Sequence, residues 1–140
     1  MRYFIAFLSL AGFVVATLAL RVHYNTGTEP CSINEHWDCG IVNHSSYSVI
    51  DHVPVAAIGM AGYLALGVLA LARRRLLLLI AALLGLAFAL YLSSIERNVL
   101  EVWCLYCVIS QGIIALIALL SILWLVAARR AKSRARRAGA

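Results

Sequence analysis

Charge is scarce in this sequence. Asp, Glu, Lys and Arg make up only 13% of its 140 residues, where soluble domains carry about 25%. Hydrophobic residues reach 64%, against roughly 45–50% in soluble domains, and the mean hydropathy is +0.91. One soluble core of this length cannot hide so many apolar side chains, so a water-soluble globular domain is excluded. The same numbers exclude disorder. Acidic residues are the rarer sign, 6 against 12 basic ones, for a net charge of +6. In a soluble chain that excess suggests nucleic acid. In a membrane chain it first reports topology, because basic residues mark the cytoplasmic side. The alternation of a membrane barrel is missing as well. So are internal repeats and any sign of a second domain, and residues 1–140 read as a single membrane domain.

A bilayer core takes about 20 apolar residues per helix. Four windows qualify, at residues 3–20, 53–72, 76–92 and 104–127, and none contains Lys, Arg, Asp or Glu. The expectation is an all-α membrane protein, a four-transmembrane-helix bundle. No A-x-A site follows the first window, which therefore reads as a retained span rather than a cleaved signal peptide. Arg2, Arg73 to Arg75, and the tail residues Arg129, Arg130, Lys132, Arg134, Arg136 and Arg137 all fall on one side of a four-helix serpentine. The other side receives Arg21 and Arg97 with all six acids: Glu29, Glu35, Asp38, Asp51, Glu96 and Glu101. Ten basic residues against two is a positive-inside signal. Both termini are then cytoplasmic, and loops 21–52 and 93–103 face a periplasm-like compartment. The basic tail 128–140 reads as a stop-transfer anchor attracted to anionic membrane lipid, with no nucleic acid as partner.

The same topology gathers every cysteine on one side. Cys31 and Cys39 lie in the long loop, and Cys104 and Cys107 lie where the short loop enters the fourth helix. Disulfides persist in an oxidising outer compartment. Cys104-Leu105-Tyr106-Cys107 is a C-x-x-C whose spacing puts both sulfurs on one helical face. A helix N-terminus favours the thiolate, the reactive form. Cys107 sits one turn deeper than Cys104, so the pair can link thiol exchange in water to a lipid-soluble electron carrier such as a quinone. A static disulfide and a four-cysteine zinc site with His36 or His44 are the blander readings. Cys31 and Cys39, eight residues apart, can close a loop disulfide, or relay electrons through mixed disulfides.

These residues resemble the vitamin K epoxide reductase family, in its bacterial disulfide-forming branch without a fused thioredoxin-like domain. The likeness covers about residues 5–127. It rests on the loop pair Cys31 and Cys39, then Ser45, then Cys104, Tyr106 and Cys107, with the stretch from Val42 through Ser48 to Val53, Pro54 and Gly59. The other quinone-linked disulfide generator, the DsbB type, carries its C-x-x-C in the first outer loop, which is the opposite order. Vertebrate members have a Tyr where this chain has Gln111, and an Asn where it aligns Val55.

The resemblance implies a four-helix bundle around a quinone, either ubiquinone or menaquinone. It implies that Cys107 is nearest the quinone and that Cys104 is its exchanging partner. Cys39 then forms the inter-loop disulfide with Cys104, Cys31 accepts electrons from a partner thiol, and Ser45 shapes the junction of loop and quinone site. The expected cofactor-binding residues are Ser45, Val55, Tyr106 and Gln111. Gln111 is either a quinone-carbonyl donor or an interhelical hydrogen-bonding group.

The implied function is a thiol–quinone oxidoreductase of the bacterial inner membrane, with its active site facing the periplasm. Its partner is a DsbA-like or thioredoxin-like thiol oxidase. The alternatives are a quinone or quinone-epoxide reductase running in the reductive direction, and a non-catalytic scaffold stapled by disulfides. Trp37, Tyr47 and Trp103 read as interface anchors. His23, His36, His44 and His52 lack helical metal spacing, and His44 is the best candidate for a proton relay. Asp51 and His52 either cap the second helix or deliver protons, and residues 45–52 are expected to form a short surface helix over the quinone pocket.

Overall fold

A computed structural model of the chain describes residues 1–25, 27 and 31–140. Glu29, counted above among the six acids, lies outside the described residues. Among the described residues the chain is mostly helical. Helix α1 runs Arg2–Tyr24, the short α2 Cys39–Asn43, α3 Val55–Leu71, α4 Arg75–Ile95 and α5 Leu105–Ala138. A 3-10 turn at Ser46–Ser48 precedes a small hairpin of β1, Val49–Ile50, and β2, Val53–Pro54. α4 closes with a π-helical turn at Glu96–Leu100.

The apolar windows correspond to the four long helices, with different ends. α3 starts at Val55 because Pro54 stands before it with φ −60° and no N–H to donate. α1 continues three residues past Arg21, since nothing there breaks a helix, and this carries Val22 into the interior. The basic tail is helical to Ala138. Ala, Arg and Lys are strong helix formers, and positive side chains near a C-terminus complement the helix dipole.

The expected surface helix at 45–52 is not what forms. β-branched Val49, Ile50 and Val53 flank a two-residue turn, Asp51 and His52, whose φ angles are 48° and 66°. Two consecutive left-handed residues make the tight hairpin turn that matches strand twist. Asp51 and His52 are therefore turn residues and not helix caps.

Four pairs of near neighbours establish the helix directions. Tyr63 of α3 meets Gly12 of α1, and Gly67 meets Ser9. The numbers run in opposite senses, so α1 and α3 are antiparallel. Ile114 of α5 meets Gly85 of α4, and the Arg75 guanidinium lies 4.9 Å from the Trp124 ring, so α4 and α5 are antiparallel too. α1 packs on α3 and α5, and α4 packs on α3 and α5, which closes the bundle in the order α1–α3–α4–α5. Arg2, the Arg73–Arg75 turn and the basic part of α5 thereby share one end of the bundle. All described cysteines occupy the other.

The core between the helices holds Ile5, Leu78 and Ile117 with no exposed surface. Tyr63 lies so close to Gly12 that a Cβ there would stand 2.2 Å from its ring. Only glycine permits that approach. The Tyr63 hydroxyl donates to the Ser110 carbonyl at 2.7 Å and so ties α3 to α5. Ser9 and Ser121, both buried, bond back to the carbonyls of Ile5 and Ile117. Much of the remaining apolar surface points outward, as at Phe7 (65% exposed) and Leu84 (68%). Apolar area on this scale is stable against lipid and not against water. α1, α4 with its π turn, and α5 are long and apolar enough to cross a bilayer, and α3 is a shorter apolar helix of 17 residues.

Candidate active site

Two segments far apart in sequence build the cysteine end. In the loop, the Asn34 side chain accepts the His36 and Trp37 N–H groups at 2.9 and 3.1 Å, an Asx turn that reverses the chain. Asp38 then caps α2 by accepting the Ile41 N–H at 3.2 Å, and its carboxylate also accepts from Ser32. Cys39 opens α2 and is joined by a disulfide to Cys31, with 5.8 Å between their Cα atoms. The second segment is Val102 to Cys104. The Trp103 N–H donates to the His36 carbonyl at 2.8 Å, and the Asp38 N–H donates to the Trp103 carbonyl at 3.1 Å. This short bridge clamps the residue before Cys104 against the residue before Cys39. Trp37 and Trp103 face each other across it at 6.5 Å. Behind the clamp, Cys31, Cys39 and Cys104 share a buried apolar cluster with Val22, Val42 and Val102.

Asn43 is the polar member of this interior. Its side-chain amide donates to the Cys39 carbonyl at 2.9 Å and to the Cys104 sulfur at 3.5 Å. Its own carbonyl is held by the His23 ring nitrogen at 2.5 Å, and the His23 ring stacks on His44 at 6.3 Å. The extension of α1 past Arg21 thus reaches the site. His44 itself is exposed and bonds the Gly40 carbonyl at 2.8 Å.

Cys104 and Cys107 are free thiols. Cys104 stands just before α5 as its cap, and its sulfur accepts the Cys107 N–H at 3.4 Å. The hydrogen bond from the Cys107 thiol, more than any other contact, holds Cys104 below the ordinary thiol range. The Cys107 N–H and the Asn43 amide help it against burial and the Glu96 charge. Glu96 is 3% exposed, and its carboxylate accepts the Cys104 N–H at 3.2 Å. The π turn that begins with this residue turns it inward. Such turns inside helices recur at functional sites.

Beneath Cys107 a cavity of about 480 Å³ opens between α1, α3, α4 and α5, with apolar walls and few polar groups. Small-molecule sites have this size and character. Ser45, Val55 and Tyr106, three of the four residues expected at the cofactor, line it together with Cys107. Ser45 donates its hydroxyl to the Val42 carbonyl at 2.7 Å, and its own carbonyl receives the Ser48 hydroxyl, so it shapes the cavity wall. Gln111 is not among the lining residues. It accepts a hydrogen bond from Ser93 of α4, which does line the cavity. That is the interhelical bond weighed for it above. The cavity fits a flat, apolar ring with a carbonyl or two: Phe88 and Leu66 supply apolar surface, and Asn43 and Ser110 supply polar atoms.

Cys39 is bonded to Cys31, where the resemblance implies a bond to Cys104, and Cys104 is a thiol in the same buried cluster as that disulfide. Among the described residues no three of His, Cys, Asp and Glu come together as metal ligands. The sequence does not mark Asn43 or Glu96 as site residues, and it offers His23 only as a histidine without metal spacing. Glu96 was counted only as an outer charge, and its place eight residues before Cys104 was the available signal.

No curated protein matches the chain. The sequence model of the vitamin K epoxide reductase family matches residues 3–122, which takes in both cysteine pairs, the cavity and all four long helices as far as Ile122. This helical membrane oxidoreductase belongs to the vitamin K epoxide reductase family.

Proposed function

We propose that the protein generates disulfides by passing electrons from the dithiol of a thioredoxin-fold partner to a membrane quinone. The partner is a DsbA-like thiol oxidase of the periplasm. Its thiols reduce Cys31–Cys39, Cys39 exchanges with Cys104, and the Cys104–Cys107 pair passes two electrons to ubiquinone or menaquinone in the cavity. The observation that carries this reading is the position of Cys104. It shares a buried cluster with the Cys31–Cys39 disulfide on one side and stands one helical turn from the cavity-lining Cys107 on the other.

Energetics support the direction. A strong oxidant of the DsbA type sits near about −120 mV, so only a higher-potential acceptor draws electrons from it. The gathering of basic residues at the opposite end of the bundle supports four spans with both termini cytoplasmic. α3 is then the fourth span. Its 17 residues rise roughly 26 Å at about 1.5 Å each, close to the hydrocarbon thickness, with the Val49–Pro54 hairpin at the interface. On this reading all four cysteines face the periplasm from the inner membrane.

The test mixes the purified protein with a reduced DsbA-like protein and a short-chain quinone and follows quinone absorbance. Continuous quinone reduction is expected, and its loss in Cys107→Ala. Wild-type turnover in Cys107→Ala contradicts the proposal.

A further inference from the structure

Oxidising the helix pair releases a proton inside the bundle, where water is scarce. Closing the Cys104–Cys107 disulfide forms an S–S bond and breaks the Cys107 S–H bond. With Cys104 as thiolate, two electrons and the Cys107 proton leave the pair. One acidic side chain is placed to receive that proton. Glu96 is buried at the π turn, its carboxylate accepts the N–H of Cys104, and it lines the cavity together with Cys107. The Cys104 N–H bond at 3.2 Å occupies Oε2 and fixes the group in place. The nearby alternatives are poorer. His44 is exposed and turned to Gly40, and the Ser45 hydroxyl is spent on Val42.

We propose that Glu96 is a catalytic residue, which takes the Cys107 thiol proton and passes it into the cavity as the helix pair is oxidised. The inference rests on the quinone reading above. Thiolate, thiol and quinone become disulfide and hydroquinone monoanion. The sulfurs are oxidised by two electrons, the quinone is reduced, and the proton travels from Cys107 Sγ through the Glu96 carboxylate to a quinone oxygen. Water supplies the second proton. A buried base that takes the reacting proton contributes on the order of a hundredfold or more in rate.

The test uses the full protein and Glu96→Gln, whose amide oxygen still accepts the Cys104 N–H but cannot take a proton. After reduction of both pairs, a short-chain ubiquinone is added, and the helix pair is followed by rapid thiol trapping and mass spectrometry. Oxidation on the order of a hundredfold slower is expected in E96Q. Reduction of the Cys31–Cys39 disulfide by the partner serves as the control for fold.

The second readout needs no quinone. In Cys104→Ala, with the loop disulfide closed, Cys107 carries the remaining S–H group. Its infrared stretch is expected to be lowered by the bond to the carboxylate, and to rise when Glu96→Gln is added. Equal oxidation rates in wild type and E96Q overturn the proposal. So does a Cys107 stretch at the free-thiol position in Cys104→Ala, whether or not any Glu96 variant folds. A wild-type helix pair that no quinone oxidises overturns the quinone reading itself, and this proposal with it.

Discussion

The two cysteine pairs are held by different means. Cys31 and Cys39 sit in a segment pinned by a few hydrogen bonds: the Asn34 side chain turns it, the Asp38 side chain caps it, and the Trp103 backbone clamps it. Cys104 caps a 34-residue helix whose position is set by core packing, and Cys107 lies in its first turn. A loop held by a few hydrogen bonds opens locally at little cost. A packed helix end does not. The difference suits the roles proposed above: the loop pair must meet an outside protein, while the helix pair must stay fixed over a cavity. Asn43 is where the two meet, with one amide on the Cys39 carbonyl and the Cys104 sulfur.

Breaking the link between the pairs carries the largest expected effect. Cys104→Ser is expected to reduce quinone turnover to background while the partner still opens Cys31–Cys39, read by quinone absorbance and thiol trapping on one sample. Retained turnover contradicts the division of labour between the pairs.

Asn43→Ala comes next. It removes a buried donor to the sulfur that reacts as a thiolate, worth about 1.5–3 kcal/mol to the charged form, and is expected to slow transfer between the pairs by roughly ten- to a hundredfold without changing entry from the partner. Rapid-mixing trapping separates the two steps.

Asp38→Ala is expected to have the smallest effect. Losing a helix cap costs about 1 kcal/mol, so α2 frays and hydrogen exchange speeds up at Cys39–Asn43. Quinone oxidation of a pre-reduced Cys104–Cys107 pair is expected to be unchanged. Slowing of that step shows that the two frameworks are not separate.

Legibility from sequence follows the same contrast. The four apolar runs were visible because a lipid-facing helix must be apolar along its length, and the C-x-x-C was visible because local spacing carries its meaning. What local spacing does not show is which residues turn inward at the cysteine end. Asn43 and Glu96 look like loop residues until the Trp103 clamp and the π turn bury them. The hairpin at Val49–Pro54 was missed because two-residue strands give no periodic signal, although the β-branched residues around Asp51-His52 were there to see. Gln111 stands out in the sequence as a polar residue within an apolar helix. Its partner Ser93 became apparent only when α4 and α5 were paired.

The measurement closest to the central claim follows the step between the pairs. In Cys31→Ser, Cys39 has lost its loop partner. Under quinone with rapid acid quench and mass spectrometry, Cys39–Cys104 is expected to accumulate as the dominant disulfide. Finding only Cys104–Cys107, with Cys39 free, would contradict the relay through Cys104.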